Sequence, residues 1–115
     1  MGRARPWAAE RVSVVAVQVI FADVHEALRI GRMMVEERLA ACFNVGAPCT
    51  SIYWWDGEVE QSDETPALFK TSVVRVEALI ARVAELHSYD VPSITAYSAD
   101  HALPAFAEWV VAEAR

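Results

Sequence analysis

Lys70, His87, Tyr89 and Asp90 are the side chains of this sequence best suited to chemistry: an ammonium, an imidazole, a phenol and a carboxylate. Lys70 is the one lysine beside nine arginines, which suits a position needing a compact point charge. His87 fits a metal ligand or proton carrier. It fits equally a residue closing a helix, where an imidazole meets the terminal carbonyls and the helix dipole. Cys49, at the edge of a loop, is the better candidate for a soft-metal thiol, while Cys42 at a strand start reads as a small buried one. The two cysteines form no CxxC, no histidine cluster completes a zinc pattern, and reduced thiols in the cytoplasm are the default. Glu58 and Glu60 share a strand face near Asp56 and could hold a divalent cation, although carboxylates beside a turn are commonly only solvated. There is no nucleophile elbow, glycine-rich phosphate loop or zinc-protease motif. These residues therefore suit a binding protein better than an enzyme.

The elements that must position them come from a chain of 115 residues, 55% hydrophobic and 23% charged, with a net charge of −6. That size and composition imply one domain with a real core rather than disorder. The acidic balance argues against a nucleic-acid backbone as partner. The apolar run Val12–Ala22 follows three arginines but is too short to span a bilayer, so a cytoplasmic protein with no membrane partner is expected. Residues 1–10 read as a flexible leader and 11–115 as the single domain.

Val12–Phe21 reads as a central β-branched strand. Asp23 followed by Glu26 starts a helix that ends near Ala41. Cys42–Val45 and Thr50–Trp55 form a second strand interrupted at Gly46-Ala47-Pro48. A third strand falls within Glu58–Thr71, bulged or turned over the polar Gln61–Pro66. Thr71 or Ser72 should cap a helix with Val73, Val76, Leu79, Ile80, Val83 and Leu86 on one face. Ser93–Ser98 is a fourth strand. A last helix begins near Leu103, with Pro104 in its first turn. The order β-α-β-β-α-β plus a C-terminal helix is an α+β, ferredoxin-like split βαβ sandwich. Asp56-Gly57 between apolar runs is a hairpin turn. Trp54 and Trp55 then point to opposite faces, more than so small a chain can cover, so a second copy of the chain is expected to cover one of them.

Val35-Glu36-Glu37-Arg38-Leu39-Ala40-Ala41-Cys42, then Thr50-Ser51-Ile52-Tyr53-Trp54-Trp55-Asp56-Gly57-Glu58, Leu68-Phe69-Lys70-Thr71 and Leu86-His87-Ser88-Tyr89-Asp90-Val91-Pro92, resemble the CutA family of divalent-cation tolerance proteins. The resemblance covers about residues 12–112 and implies a homotrimer whose long hairpins pair between subunits. It also implies a role in copper tolerance. Two copper ligands assigned in metal-binding members fall here on Val19 and Leu86, leaving His87. One imidazole, even with Cys49, does not make the multi-ligand site copper prefers, so copper binding should be weak. The trimer also suggests a pocket between subunits lined by Tyr53, Trp54, Glu58, Lys70, His87, Tyr89 and Asp90, able to take a divalent metal or a small anion. A salt bridge from Lys70 to a neighbour's glutamate is the structural alternative. The competing function is a small-ligand sensing trimer of the PII type, without a working metal site.

Overall fold

The computed structural model describes residues 14–115. The expected leader and the first residues of the first strand lie outside the described residues. The elements are β1 (Val14–Phe21), α1 (Val24–Glu36), β2 (Cys42–Val45), β3 (Cys49–Trp55), β4 (Glu58–Ser72), α2 (Val76–Leu86), β5 (Ile94–Ser98) and α3 (Pro104–Glu113). The split βαβ order is as expected. The sheet runs β2-β4-β1-β5, all pairs antiparallel, and β3 pairs with the far half of β4.

Alternation along β1 and β4 sorts the two faces. Val15, Val17, Val19, Phe21, Ala67 and Phe69 point toward α1 and α2, where Ala27, Ile30, Met34, Leu79 and Val83 meet them in the main core. On the other face, α3 covers only one end of the sheet, where Val110 and Ala114 pack on Val14 and Ala41. Gln18, Asn44 and Tyr97 on that face remain exposed. α3 is the expected last helix; of Phe106, Trp109 and Val110, which fall on one of its faces, only Val110 is fully buried and Trp109 stays half exposed.

Three features differ from the sequence expectation, each for a physical reason. α1 stops at Glu36 rather than near Ala41 because Arg38 adopts a positive φ of 64°. Glu37 N–H then bonds Met33 O at 2.9 Å, and Leu39 N–H bonds Met34 O at 2.9 Å, closing the helix end. Arg38 is held there by a 2.8 Å ion pair with Glu113. Neither Thr71 nor Ser72 caps α2. Both hydroxyls are used across the fold, Thr71 donating to Leu39 O at 2.7 Å and Ser72 to Ala114 O at 2.9 Å. The chain turns through exposed Val73 and Val74, and Arg75 precedes α2 with no side-chain cap.

The polar stretch Gln61–Pro66 is neither bulged nor turned, since β4 runs unbroken for 15 residues. The irregularity sits on the opposite side. Cys49 pairs with Glu64 and Val45 with Ala67, so residues 46, 47 and 48 face only 65 and 66. Gly46 N–H closes that gap by bonding Pro66 O at 2.8 Å. Beyond it the β3–β4 hairpin projects from the sheet, giving the subunit its 57 Å long axis. Asp56 and Gly57 take the expected positive φ values, 51° and 81°. Trp54 opposes Val59 and Trp55 opposes Glu58, on opposite faces, and both indoles are exposed, at 75% and 55%.

Gly31 lies where α1 crosses β2, and a Cβ there would overlap the Phe43 ring. In an open helix, Gly to Ala stabilises by about 0.5–1 kcal/mol. Gly31→Ala should instead destabilise by about 1–3 kcal/mol through overpacking, read by thermal or denaturant unfolding. Adding Phe43→Leu should recover part of the loss.

Candidate ligand-binding site at the hairpin base

The loop between α2 and β5 is fixed by two groups that reach it from β1 and α1. His87 ends α2, its side chain fully buried, and its ring stacks on Phe21 with centroids 5.2 Å apart. Nε2 lies 2.9 Å from Ile20 O, and Nδ1 accepts from Tyr89 N–H at 3.0 Å. These partners define a neutral imidazole with its proton on Nε2, since a carbonyl only accepts and an amide N–H only donates. Glu26 sits opposite. Its Oε1 accepts from Ala22 N–H at 3.1 Å and its Oε2 from Ser88 N–H at 2.9 Å, while Asp23 Oδ1 accepts from Glu26 N–H at 2.8 Å. The helix-start signature at Asp23 and Glu26 thus caps α1 and also anchors the loop. Burial pushes the Glu26 carboxyl up. The hydrogen bonds from Ser88 and Ala22 outweigh it and hold the carboxyl below its ordinary range.

With the loop fixed, Tyr89 reaches across the start of the hairpin and donates to Glu64 Oε2 at 2.7 Å. Burial, the bond to Glu64 and the nearby carboxylate charge push the Tyr89 phenol well above its usual value, so it remains a neutral donor. Between loop and hairpin opens a cavity of about 620 Å³, walled by Ile20, Ser51, Tyr53, Trp55, Glu64, Tyr89, Asp90 and Val91 among others. Tyr53 OH lies 3.1 Å from Ser62 Oγ, which steadies the ring along the wall.

Three of the expected pocket residues, Tyr53, Tyr89 and Asp90, therefore meet in one subunit. Trp54 is on the opposite hairpin face, and its place on this wall is taken by Trp55. Glu58 is at the hairpin tip, opposite Trp55. Lys70 does not line the cavity. It pairs with Ala16 and Cys42, six residues along β4 from Glu64, roughly 20 Å at the strand rise. His87 supports the loop from behind, with both ring nitrogens engaged. Cys42 and Cys49 are free thiols, each partly buried. Cys49 Sγ lies 3.9 Å from Ser51 Oγ. Among the described residues, no group of three or more His, Cys, Asp or Glu side chains converges as a metal site would require.

Sequence reasoning missed Glu64, Trp55 and Glu26 as site residues. The hairpin register could have found the first two. A two-residue turn at Asp56-Gly57 sets Trp55 opposite Glu58, hence Tyr53 opposite Glu60 and Cys49 opposite Glu64, placing Trp55, Tyr53, Ser51 and Glu64 on one face. Glu26 carried a signal only for its cap.

The subunit is thus a ferredoxin-like α+β fold with a long projecting hairpin and a cavity at its base. The model of the CutA1 divalent ion tolerance protein family matches residues 15–113. The chain belongs to this family. The divalent-cation tolerance protein CutA of Thermotoga maritima is 35% identical over 97 residues, 84% of this chain and 95% of that protein. The crystal structure of CutA from Xylella fastidiosa superimposes with a TM-score of 0.87 at 34% identity, covering 90% of this chain and 99% of that one. A structure titled as the periplasmic divalent cation tolerance protein CutA from Archaeoglobus fulgidus gives 0.81 at 30% identity, covering 84% and 94%.

Because its folded pKa is lowered, Glu26 contributes stability that is full above the ordinary glutamate range and lost as the pH falls through the folded value. Glu26→Gln leaves one of the two backbone N–H groups facing an amide NH2. It should cost about 1–3 kcal/mol at pH 7. Denaturant titrations should show the gap to the parent protein closing as the pH is lowered through and below that range.

Proposed function

We propose that this chain is a cytoplasmic homotrimeric binding protein of divalent-cation tolerance, holding its ligand in clefts that neighbouring hairpins complete. The carrying observation is the hairpin. Ile52, Trp54 and Val59 stand exposed on one of its faces and Trp55 with Tyr53 on the other, at the end of an arm clear of the core. Apolar surface of that kind on a soluble protein marks an interaction site, and family membership supports the partner's being a copy of the chain. The free thiols of Cys42 and Cys49 support a reducing compartment. No helix of the described residues is long and apolar enough to cross a membrane.

Copper is a weak ligand in this reading. Val19 is fully buried in the main core, Leu86 packs against it, and both His87 nitrogens have partners. The cavity itself favours a second reading, a trimer that senses a small organic ligand. Its walls mix aromatic and apolar groups with few polar ones, as small-molecule sites do. Metal analysis separates the two. Stoichiometric divalent metal in freshly purified protein supports the first, and a co-purified organic molecule the second.

Light scattering at micromolar concentration should give three times the chain mass, and a monomer would refute the assembly. Ile52→Glu together with Val59→Asp should shift the mass toward one chain, because buried unpaired charges cost several kcal/mol in an apolar interface. Calorimetry with copper at neutral pH should show no tight single site. A sub-micromolar site abolished by His87→Ala would restore a specific metal role.

A further inference from the structure

The cavity at the hairpin base carries one sign of charge. Glu64 and Asp90 contribute two carboxylates, and among the described residues no Lys, Arg or His lines it. Glu64 is the more telling of the two, being only 7% exposed. The bond it accepts comes from the Tyr89 phenol, which the site itself keeps neutral. Among the described residues, no ion pair includes Glu64 or Asp90. A buried carboxylate is costly unless a positive group faces it, and here that face is open cavity. Tyr53, whose hydroxyl contacts Ser62 two residues from Glu64, supplies a ring able to receive a cation, while Trp55 stands six residues along β3 from Cys49, the partner of Glu64, roughly 20 Å away at the strand rise.

The ligand classes can be compared against these walls. A small anion would meet two carboxylates and no cation, since Lys70 lies far along β4. A bare metal ion would find too few donors in about 620 Å³ of partly apolar space. A neutral apolar molecule would leave the Glu64 charge unanswered. A positively charged organic group with a short apolar body meets all three features, with its head at Glu64, its flank on the Tyr53 ring and Asp90 at the mouth. We propose that this cavity binds a small organic cation, an alkylamine or quaternary ammonium, with Glu64 as its counter-ion and Tyr53 as its aromatic wall.

The proposal rests on the reading of the chain as a binding protein and on the cavity staying open to ligand in the assembly, and every residue it uses belongs to one subunit. The test is a calorimetric titration of the full chain at constant ionic strength with choline. Its neutral isostere 3,3-dimethyl-1-butanol and acetate serve as comparisons. Choline should bind saturably, the alcohol about tenfold or more weakly, and acetate not at all. Glu64→Gln keeps an acceptor for Tyr89 and should weaken choline about tenfold at unchanged subunit mass. Tyr53→Leu and the loop variant Asp90→Asn should each weaken it several-fold, and these two decide the matter should Glu64→Gln fail to fold. Three results would overturn the proposal: no saturation with choline, equal binding of the alcohol, or unchanged affinity in the folded variants. So would loss of assembly in Glu64→Gln with no choline binding by the parent, which would assign the counter-ion to an arginine of another copy. Light scattering on the same samples reports assembly independently, so a monomer that binds choline refutes the trimer and leaves the cavity assignment standing.

Discussion

The structure depends on a single strand being continuous. β4 is at once the second strand of the sheet and one leg of the hairpin, and it passes from one role to the other without losing register. Its second half is held between β1 and β2; its first half is held by β3 alone. A break at residues 64–67 would uncouple the arm from the core and dissolve the cavity, which exists only because the arm leaves at a fixed angle. Pro66 is tolerated at that point because the change of partner strand removes the need for its missing N–H, and its carbonyl is answered by Gly46.

The second determinant is the line of rings that runs from the core to the cavity. Phe69 meets Phe43 at 4.6 Å, Phe43 meets the edge of Phe21 at 6.3 Å, Phe21 stacks on His87, and His87 lies 4.8 Å from Tyr89. Rotamers locked by packing at one end thereby position a phenol at the other, the support a binding site needs if its geometry is to be reproducible. Glu26 completes that support by holding the backbone of the same loop. His87 thus acts by placing Tyr89 and Glu64, as the partners of both its ring nitrogens indicate.

Most of the architecture was legible in the sequence because it is written in short-range patterns. The β-branched run before Phe21, the Asp23–Glu26 pair, the Asp56-Gly57 turn and Pro104 each act within a few residues and each marks an element that is present. The failures have a common cause. The end of α1 at Arg38, the diversion of the Thr71 and Ser72 hydroxyls from capping α2 and the straightness of β4 through Gln61–Pro66 all involve groups distant in sequence: Glu113, Leu39, Ala114 and Gly46. The site divides in the same way. Tyr53, Tyr89 and Asp90 could be associated through the hairpin and the loop before β5, and Glu64 was hidden in a polar stretch that looked irregular. Lys70 drew notice through its rarity, which says nothing of its distance from the cavity.

The hairpin also constrains how copies of the chain can meet. Within one subunit, the outer edge of β3 and the outer edge of β4 over Glu58–Glu64 carry no strand partner among the described residues. Open edges of this kind are templates for further pairing. Glu58, Glu60, Asp63 and Glu64 crowd the β4 leg, Asp56 sits in the turn before it, and no basic residue lies between Cys49 and Glu64. If two copies joined β4 to β4 about a two-fold axis, carboxylate would oppose carboxylate along the seam, an arrangement that destabilises strand pairs. The charge pattern therefore works against the self-complementary pairing of a simple dimer or an endless sheet. It leaves head-to-tail contact between unlike surfaces, which closes into a ring when the rotation permits.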